Sequence, residues 1–250
     1  MFRSDIRLWA VLVWLVVWQA VSMWLDSVIL LVPPVKVLVR LAQLMWTAQF
    51  WQAALSSASR ITFGFLLAVL AGSLLAAAAS RSRRVLELLA PVMLAVRSVP
   101  VASFIILALI WFSSRNLSVL ISFLMVLPVV YTSVLGGIKA VDGQLLEMAS
   151  VFRVSKLRAV RYIYLPQILP FFDSACSVSV GLGWKAGVAA EVIGMPKGSV
   201  GERLQQAKVY LDTPDLFAWT LAIVALSLFF EKLILFFVRN AVPRLWRMRV

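Results

Sequence analysis

Six apolar stretches, each long enough for a helix of about 20 residues, dominate the sequence. A helix of about that length crosses the hydrocarbon core of a bilayer, which is roughly 30 Å thick. Only 14% of the 250 residues are charged, against about 25% in an ordinary soluble domain. The chain is therefore predicted to be an all-α, polytopic membrane protein. Its spans are expected near residues 8–25, 61–79, 92–112, 117–138, 168–193 and 216–238.

The first and third stretches depart from a plain transmembrane helix. Residues 8–25 follow a basic start, as in a signal peptide, but no small-residue cleavage site comes after them, so we expect an uncleaved anchor. An external segment then begins at Pro33. In the third stretch Arg97 and Pro100 interrupt the apolar run. We expect Arg97 to pair with Glu87 or with lipid headgroups.

The distribution of Lys and Arg predicts the orientation of the chain. With the N-terminus in the cytoplasm, roughly twice as many of these residues fall on the cytoplasmic side as outside, in agreement with the positive-inside rule. Both termini and the segment 143–166 are then cytoplasmic. The net charge of +13 is scattered over span ends and forms no basic stripe, which argues against a nucleic-acid partner.

The residue types exclude His-dependent hydrolases, most zinc and haem sites, and intramembrane proteases that need a Ser-His pair. The sequence has no His and a single Cys, Cys176, so it cannot form an intrachain disulfide, a Cys metal site or a His-dependent catalytic pair. It also lacks a phosphate-binding loop of the G-x-x-x-x-G-K-[ST] type. We therefore expect no catalytic residue, no metal and no cofactor. If ATP drives this protein, another subunit must bind it.

The segment from Leu145 to Pro170 is basic and amphipathic and lies between two predicted spans. It breaks near Arg153, and Ser155 opens a second helix. One interpretation is an interfacial helix that rests on anionic lipid. Its apolar face would then consist of Leu157, Val160 and Tyr164, and its basic face of Lys156, Arg158 and Arg161.

The residue order of this segment also resembles the coupling loop of permease subunits in bacterial ABC importers. That loop has a Glu-Ala-Ala triplet, followed at fixed spacing by a Gly and by an Ile-x-Leu-Pro ending. The residues in register are Glu147, Ala149, Ile163, Leu165 and Pro166. The resemblance implies that the loop at 143–166 contacts a separate ATPase. The implied contact residues are Glu147, Met148, Ala149, Ser150, Arg153, Ile163 and Pro166.

Two residues differ from the family pattern in this loop. Met148 replaces the first Ala of the triplet, and Arg153 stands where the family has Gly. Glycine turns the backbone through positive φ without steric cost, whereas Arg must accept strain or open the turn differently. The sequence thus leaves two conformations open for the turn between the two short helices.

The resemblance covers most of the chain. In the second span, small residues recur every four positions from Gly64, a pattern expected to pack against another helix of the same chain. Arg60 before this pattern and the basic run after it look like the start of the permease core. Residues 56–250 are therefore assigned to the core, including the loop at 143–166. Residues 1–55 are assigned to an N-terminal anchor helix and its external segment.

Three further stretches are similar to those of importers for nitrate, alkanesulfonates and taurine: Arg97–Pro100, Gly137–Asp142 and Gly183–Glu191. Charges within spans are costly, so Lys185 and Glu191 are candidates to line a substrate pathway. Alternatively, Lys185 snorkels to the interface or pairs with an acidic residue such as Asp173. The predicted pathway residues are Gly183, Trp184, Lys185 and Glu191.

The resemblance implies a type I ABC importer permease in the bacterial inner membrane, in contact with lipid. Two ATPase subunits would grip the cytoplasmic loops, and a periplasmic or lipid-anchored binding protein would dock outside around residues 197–215. A second permease copy, in a homodimer or heterodimer, would complete the pathway. The cargo would be a small anion such as a sulfonate or nitrate, with a thiamine-precursor pyrimidine as the competitor.

Two other classes stay open from the residues alone. The first is an ATP-independent secondary transporter or channel, and the second is a membrane scaffold. Secondary transporters commonly carry paired repeats and midplane acidic or His relays, and the sequence shows neither an obvious repeat nor a His. The importer permease is therefore the preferred interpretation.

Overall fold

The computed structural model describes residues 8–25 and 30–247, and all regular secondary structure in these residues is helical. A single π-helical turn, Val160–Tyr164, separates α8 from α9. The helices are α1 Leu8–Leu25, α2 Pro34–Met45, α3 Ala48–Arg81, α4 Arg83–Ser98, α5 Val101–Trp111, α6 Ser114–Lys139, α7 Gly143–Val151, α8 Lys156–Ala159, α9 Leu165–Gly194, α10 Val200–Val209 and α11 Thr213–Arg247.

Four helical stretches in the described residues are long and apolar enough to cross a membrane. They are α3, α6, the continuous helix Lys156–Gly194 and residues Thr213–Phe237 of α11. A fifth candidate is the pair α4 and α5, which bend by 107° relative to each other. The remaining predicted span coincides with α1, a shorter apolar helix. The all-α, polytopic architecture predicted from the apolar stretches is therefore confirmed.

The bend between α4 and α5 lies where Arg97 and Pro100 interrupt the sequence. Val99 has an extended backbone with φ −78° and ψ 130°, because the residue before a proline is disfavoured in the helical region. Arg97 does not pair with Glu87, so the first of its two predicted partners is wrong, whereas the pairing with lipid headgroups stays a prediction. Its guanidinium donates instead to the Thr132 hydroxyl at 2.6 Å and to a backbone carbonyl of α6 at 3.0 Å. Glu87 pairs with a neighbour on its own helix at 2.9 Å.

Helix α6 forms the centre of the bundle and packs between α3 and α9. Small residues permit both contacts, since a Cβ on Gly64 would lie 2.4 Å from a carbonyl oxygen of α6. On the opposite side, a Cβ on Gly187 of α9 would lie 2.5 Å from the Ser122 hydroxyl. The hydroxyl of Ser122 donates to the Gly183 carbonyl at 2.9 Å. The small residues of α3 thus pack within the same chain, as predicted.

The segment that follows α1 forms the amphipathic helix α2 and attaches to α11. Arg40 of α2 forms an ion pair with Asp215 in the first turn of α11. The hydrogen bond with Asp215 is the main cause that raises the pKa of Arg40. Leu41 and Leu44 pack beside the buried Trp219 of α11. These contacts fix α2 against the end of the bundle where α11 begins.

Candidate functional site

The loop at 143–166 forms two short helices joined by a tight turn. Asp142 caps α7 by accepting a hydrogen bond from the Gln144 amide at 2.8 Å. At the other end of α7, the Val154 amide donates to the Ala149 carbonyl at 2.8 Å and the Arg153 amide to the Ser150 carbonyl at 3.1 Å. This pair of bonds is a Schellman motif, which requires a left-handed residue after the helix.

Arg153 occupies the left-handed position of this motif, with φ at +51°. Of the two conformations that the sequence left open, the chain therefore adopts the strained one that a glycine would take freely. A left-handed conformation costs an ordinary residue about 1–2 kcal/mol. The turn of the family pattern is thus kept although its glycine is absent.

Replacing Arg153 with glycine is therefore expected to stabilise the turn by about 1 kcal/mol, because it removes the left-handed strain. Amide hydrogen exchange of the full-length chain in detergent checks this, with slower exchange expected at the Val154 amide. The matched control is Arg158→Gly. Arg158 lies within α8, where glycine should instead cost about 1 kcal/mol. Equal acceleration of exchange by both substitutions would contradict the strain.

The second half of the loop continues into α9 without a break. The Leu165 amide donates to the Val160 carbonyl, five residues earlier, which is the bond of a π-helical turn. Pro166 has no amide hydrogen for the regular ladder, so the helix can widen here at little cost. Ile163 and Pro166 are half-buried at this junction. The loop is therefore continuous with the start of a long helix that is apolar enough to span a membrane.

Large apolar side chains cover the exposed face of the loop. Phe152 is 75% exposed and Leu157 81% exposed, and Met148 and Val151 beside them are also exposed. We name these four residues the loop patch. Ala149 is buried against the rest of the chain, whereas Glu147 and Ser150 are exposed. Exposed apolar groups of this kind mark protein or membrane contacts. The loop therefore offers the loop patch, and not Ala149, to whatever covers it.

The four residues predicted for a substrate pathway lie on α9 but face in different directions. Gly183 packs against α6, where an added Cβ would lie 2.8 Å from Val126. Trp184 is buried, with its ring centroid 5.5 Å from that of Phe230 in α11. Lys185 is exposed and has no ion pair within the described part of the chain. Of the four residues, only Lys185 faces away from the chain.

Glu191 is fully buried near the C-terminal end of α9. Its Oε2 accepts hydrogen bonds from the hydroxyl of Ser57 in α3 and from the Gly201 amide of α10, the latter at 3.4 Å. The Ser57 hydroxyl in turn accepts from the Val200 amide at 2.9 Å. Arg60 of α3 places a guanidinium nitrogen 3.9 Å from Oε1. We name these five residues the Glu191 cluster.

The Glu191 cluster holds the N-terminal end of α10 against α3 and α9. The approach is so close that a Cβ on Gly201 would lie 2.4 Å from the Cβ of Glu191. The sequence indicated that a charge at Glu191 needs a partner, but it did not identify Ser57, Arg60 or Gly201. Ser57 is 134 positions from Glu191 in the chain, so no local pattern could reveal the pair.

A model of the family "Binding-protein-dependent transport system inner membrane component" matches residues 64–247. This range includes the loop, α9 and α10. The chain belongs to this family. It is an inner-membrane permease subunit of an ABC importer and a multi-pass protein of the bacterial inner membrane. The assignment that the loop motif suggested is therefore confirmed. Family members work in general with an ATPase and a substrate-binding protein.

Several curated permeases are similar to this one. The taurine transport system permease TauC of Escherichia coli is 29% identical over 86% of this chain and 80% of its own length. A putative aliphatic sulfonates permease, SsuC of Bacillus subtilis, is 28% identical over 81% and 74%. The nitrate import permease NrtB of Leptolyngbya laminosa is 27% identical over 61% and 53%. These relatives fall in the subgroup that the sequence resembled.

Proposed function

We propose that this permease forms the translocation pathway of an ATP-driven importer and couples it to a separate ATPase through the loop at 143–166. Two copies of the chain, or this chain and a sister chain, would line the pathway at their interface. The permease itself would be non-catalytic, with ATP bound and hydrolysed by two partner subunits. Both termini and the loop would lie in the cytoplasm, in agreement with the positive-inside rule.

The loop patch is the observation that carries this proposal. Phe152 and Leu157 project from two short helices at the ends of spans α6 and α9, and basic residues surround them. An apolar centre with a polar rim is the usual anatomy of a protein–protein interface. Docking on the patch would move the loop, and the π-helical turn joins the loop directly to α9. Nucleotide-driven closure of the ATPases could thus bias the spans between two arrangements.

Uptake by purified complexes in liposomes tests this mechanism. We expect uptake only when ATP is supplied on the side of the loop and the binding protein on the opposite side. Uptake at the same rate in ATP-free and ATP-supplied liposomes would favour a secondary transporter or channel. The absence of any uptake, together with no ATPase bound, would favour a scaffold.

The segment 197–215 supplies the surface on which we propose that the binding protein docks. Val209, Tyr210 and Leu211 are exposed there, and Leu211 has a left-handed φ of +55° that directs the chain from α10 into α11. The Glu191 cluster anchors the other end of α10 to spans α3 and α9. Contact between the binding protein and α10 would therefore be transmitted to α3 and α9, the spans that we expect to move during transport.

For the cargo we propose a small anion, such as a sulfonate or nitrate. The support is the exposed Lys185 on α9 and the names of the relatives, which include taurine, sulfonate and nitrate permeases. Gly183 and Trp184 hold the neighbouring faces of α9 against the chain, so Lys185 is left to face a pathway between two permease copies. Its ammonium would provide a charge-assisted hydrogen bond to a passing anion.

Replacing Lys185 with methionine is expected to lower uptake of such an anion by about tenfold to a hundredfold, the effect of losing a charge-assisted hydrogen bond of roughly 1.5–3 kcal/mol. Lys185→Arg should retain most of the uptake. The matched control is Lys36→Met on the exposed face of α2, which should leave uptake unchanged. Equal uptake by Lys185→Met and wild type, or preferential uptake of an uncharged pyrimidine, would contradict the anion assignment.

A further inference from the structure

A cavity of about 880 Å³ lies between the loop at 143–166 and the C-terminal ends of α3 and α6. Helix α3 contributes Arg81 and α6 contributes Lys139, while the loop contributes Lys156. The polar wall is completed by hydroxyl groups, including those of Ser150 and Tyr164. The volume falls in the range of about 300–1,000 Å³ that is usual for small-ligand pockets.

The charges of the cavity wall are all of one sign. The residues that line the cavity include three cations and no acidic residue, and the three cations have no ion pair within the described part of the chain. A cation at a helix C-terminus offsets the helix dipole, which accounts for Arg81 and Lys139. It does not account for Lys156, which begins α8. Three like charges around one space favour an anion within it.

The rest of the wall is apolar and lies at the ends of two spans. Ala77, Ala78, Ile138, Val160 and Ile168 line this part of the cavity. Because Arg81 ends α3 and Lys139 ends α6, both cations stand where spanning helices leave the hydrocarbon core and phospholipid headgroups begin. A site with cations beside apolar side chains at this depth suits a molecule with an anionic head and a hydrocarbon tail.

We propose that this cavity binds the phosphate group of an anionic phospholipid. Basic pockets between spanning helices at a membrane surface are a recognised form of lipid-headgroup site. The lipid would bridge the ends of α3 and α6 to Lys156, and its acyl chains would leave past Ile138 and Ile168. Bound in this way, the lipid supports the loop from the side opposite to the loop patch. The position of the loop therefore depends on the lipid composition of the membrane.

The test is native mass spectrometry of the full-length chain, with the partners that copurify, released from nanodiscs of phosphatidylcholine and phosphatidylglycerol in equal parts. We expect retained phosphatidylglycerol on the wild type. Each of Arg81→Gln, Lys139→Gln and Lys156→Gln should lower retention about fivefold, since a basic residue near anionic lipid contributes about 1 kcal/mol. The matched controls are Arg84→Gln and Arg158→Gln, which remove exposed cations of neighbouring segments that do not line the cavity.

Three results would overturn the proposal. One is equal retention by the cavity variants and the controls, and another is equal retention of phosphatidylcholine and phosphatidylglycerol on the wild type. The third is displacement of the lipid by inorganic phosphate, which would assign the site to a free anion. Lys156 is exposed, so Lys156→Gln should fold normally and keeps the test decisive if Arg81→Gln or Lys139→Gln is poorly produced.

Discussion

Replacing Phe152 with glutamate is expected to weaken binding of the partner ATPase by more than about tenfold and to abolish ATP-dependent uptake. The exposed Phe152 side chain has little packing to lose within this chain, so the chain itself should fold normally. Burial of a phenylalanine stabilises a contact by roughly 1.5–3 kcal/mol, and burying a carboxylate without a partner is costly. A loss of about 1.4 kcal/mol already corresponds to tenfold weaker binding.

The measurement is the amount of ATPase that copurifies with the tagged permease, followed by uptake in liposomes. Gln144→Glu is the matched control, because it introduces the same charge into an exposed position of the same loop. Gln144 lies in the first turn of α7, where a negative charge is favourable to the helix dipole. Normal ATPase recovery and uptake with Phe152→Glu would remove the loop patch from the coupling mechanism.

The second large effect is expected for Glu191→Ala. This substitution leaves Arg60 without its buried counter-ion and leaves the Ser57 hydroxyl and the Gly201 amide without their acceptor. Breaking a buried charged pair by removing one partner typically costs about 3–5 kcal/mol. We therefore expect a lower unfolding temperature, faster amide exchange throughout α10, and loss of stimulation by the binding protein.

Glu202→Ala provides the control for this experiment. Glu202 is also an α10 carboxylate, but it accepts its hydrogen bond from the exposed Gly198 amide at 2.6 Å, so its removal should cost only about 0.5–1.5 kcal/mol. Glu191→Gln keeps an acceptor oxygen for Ser57 and should fall between the two. If Glu191→Ala unfolded at the wild-type temperature with α10 still protected, the Glu191 cluster would not anchor that helix.

The elements that could be predicted from sequence are those with local causes. Apolar runs of span length indicated the long helices, and Pro100 indicated the break between α4 and α5, since both effects act within a few residues. The conformation of the turn at Arg153 was left open, because an Arg in place of the family's Gly could either accept left-handed strain or open the turn differently. The angle of 107° between α4 and α5 could not be predicted, because no local rule sets it.

The partners of the charged side chains could not be predicted from the sequence. Arg97 was expected to pair with Glu87 or with lipid headgroups, and within this chain it donates instead to Thr132 and Pro128 of α6. Glu191 was grouped with Lys185 because both are charged residues within the fifth predicted span, but Glu191 is buried against α3 and α10 whereas Lys185 is exposed. Which group meets a buried charge depends on how the helices pack, and that packing involves residues more than a hundred positions apart, as with Ser57 and Glu191.

The proposed mechanism depends on contact between the 143–166 loop and a separate ATPase. The most direct measurement is to tag the chain in its native host, extract it in mild detergent and identify the proteins that copurify in stoichiometric amount. We expect to recover an ATPase with a phosphate-binding loop, together with a substrate-binding protein whose ligand identifies the cargo. Recovery of the chain alone, with undiminished uptake in ATP-free liposomes, would contradict the proposed mechanism.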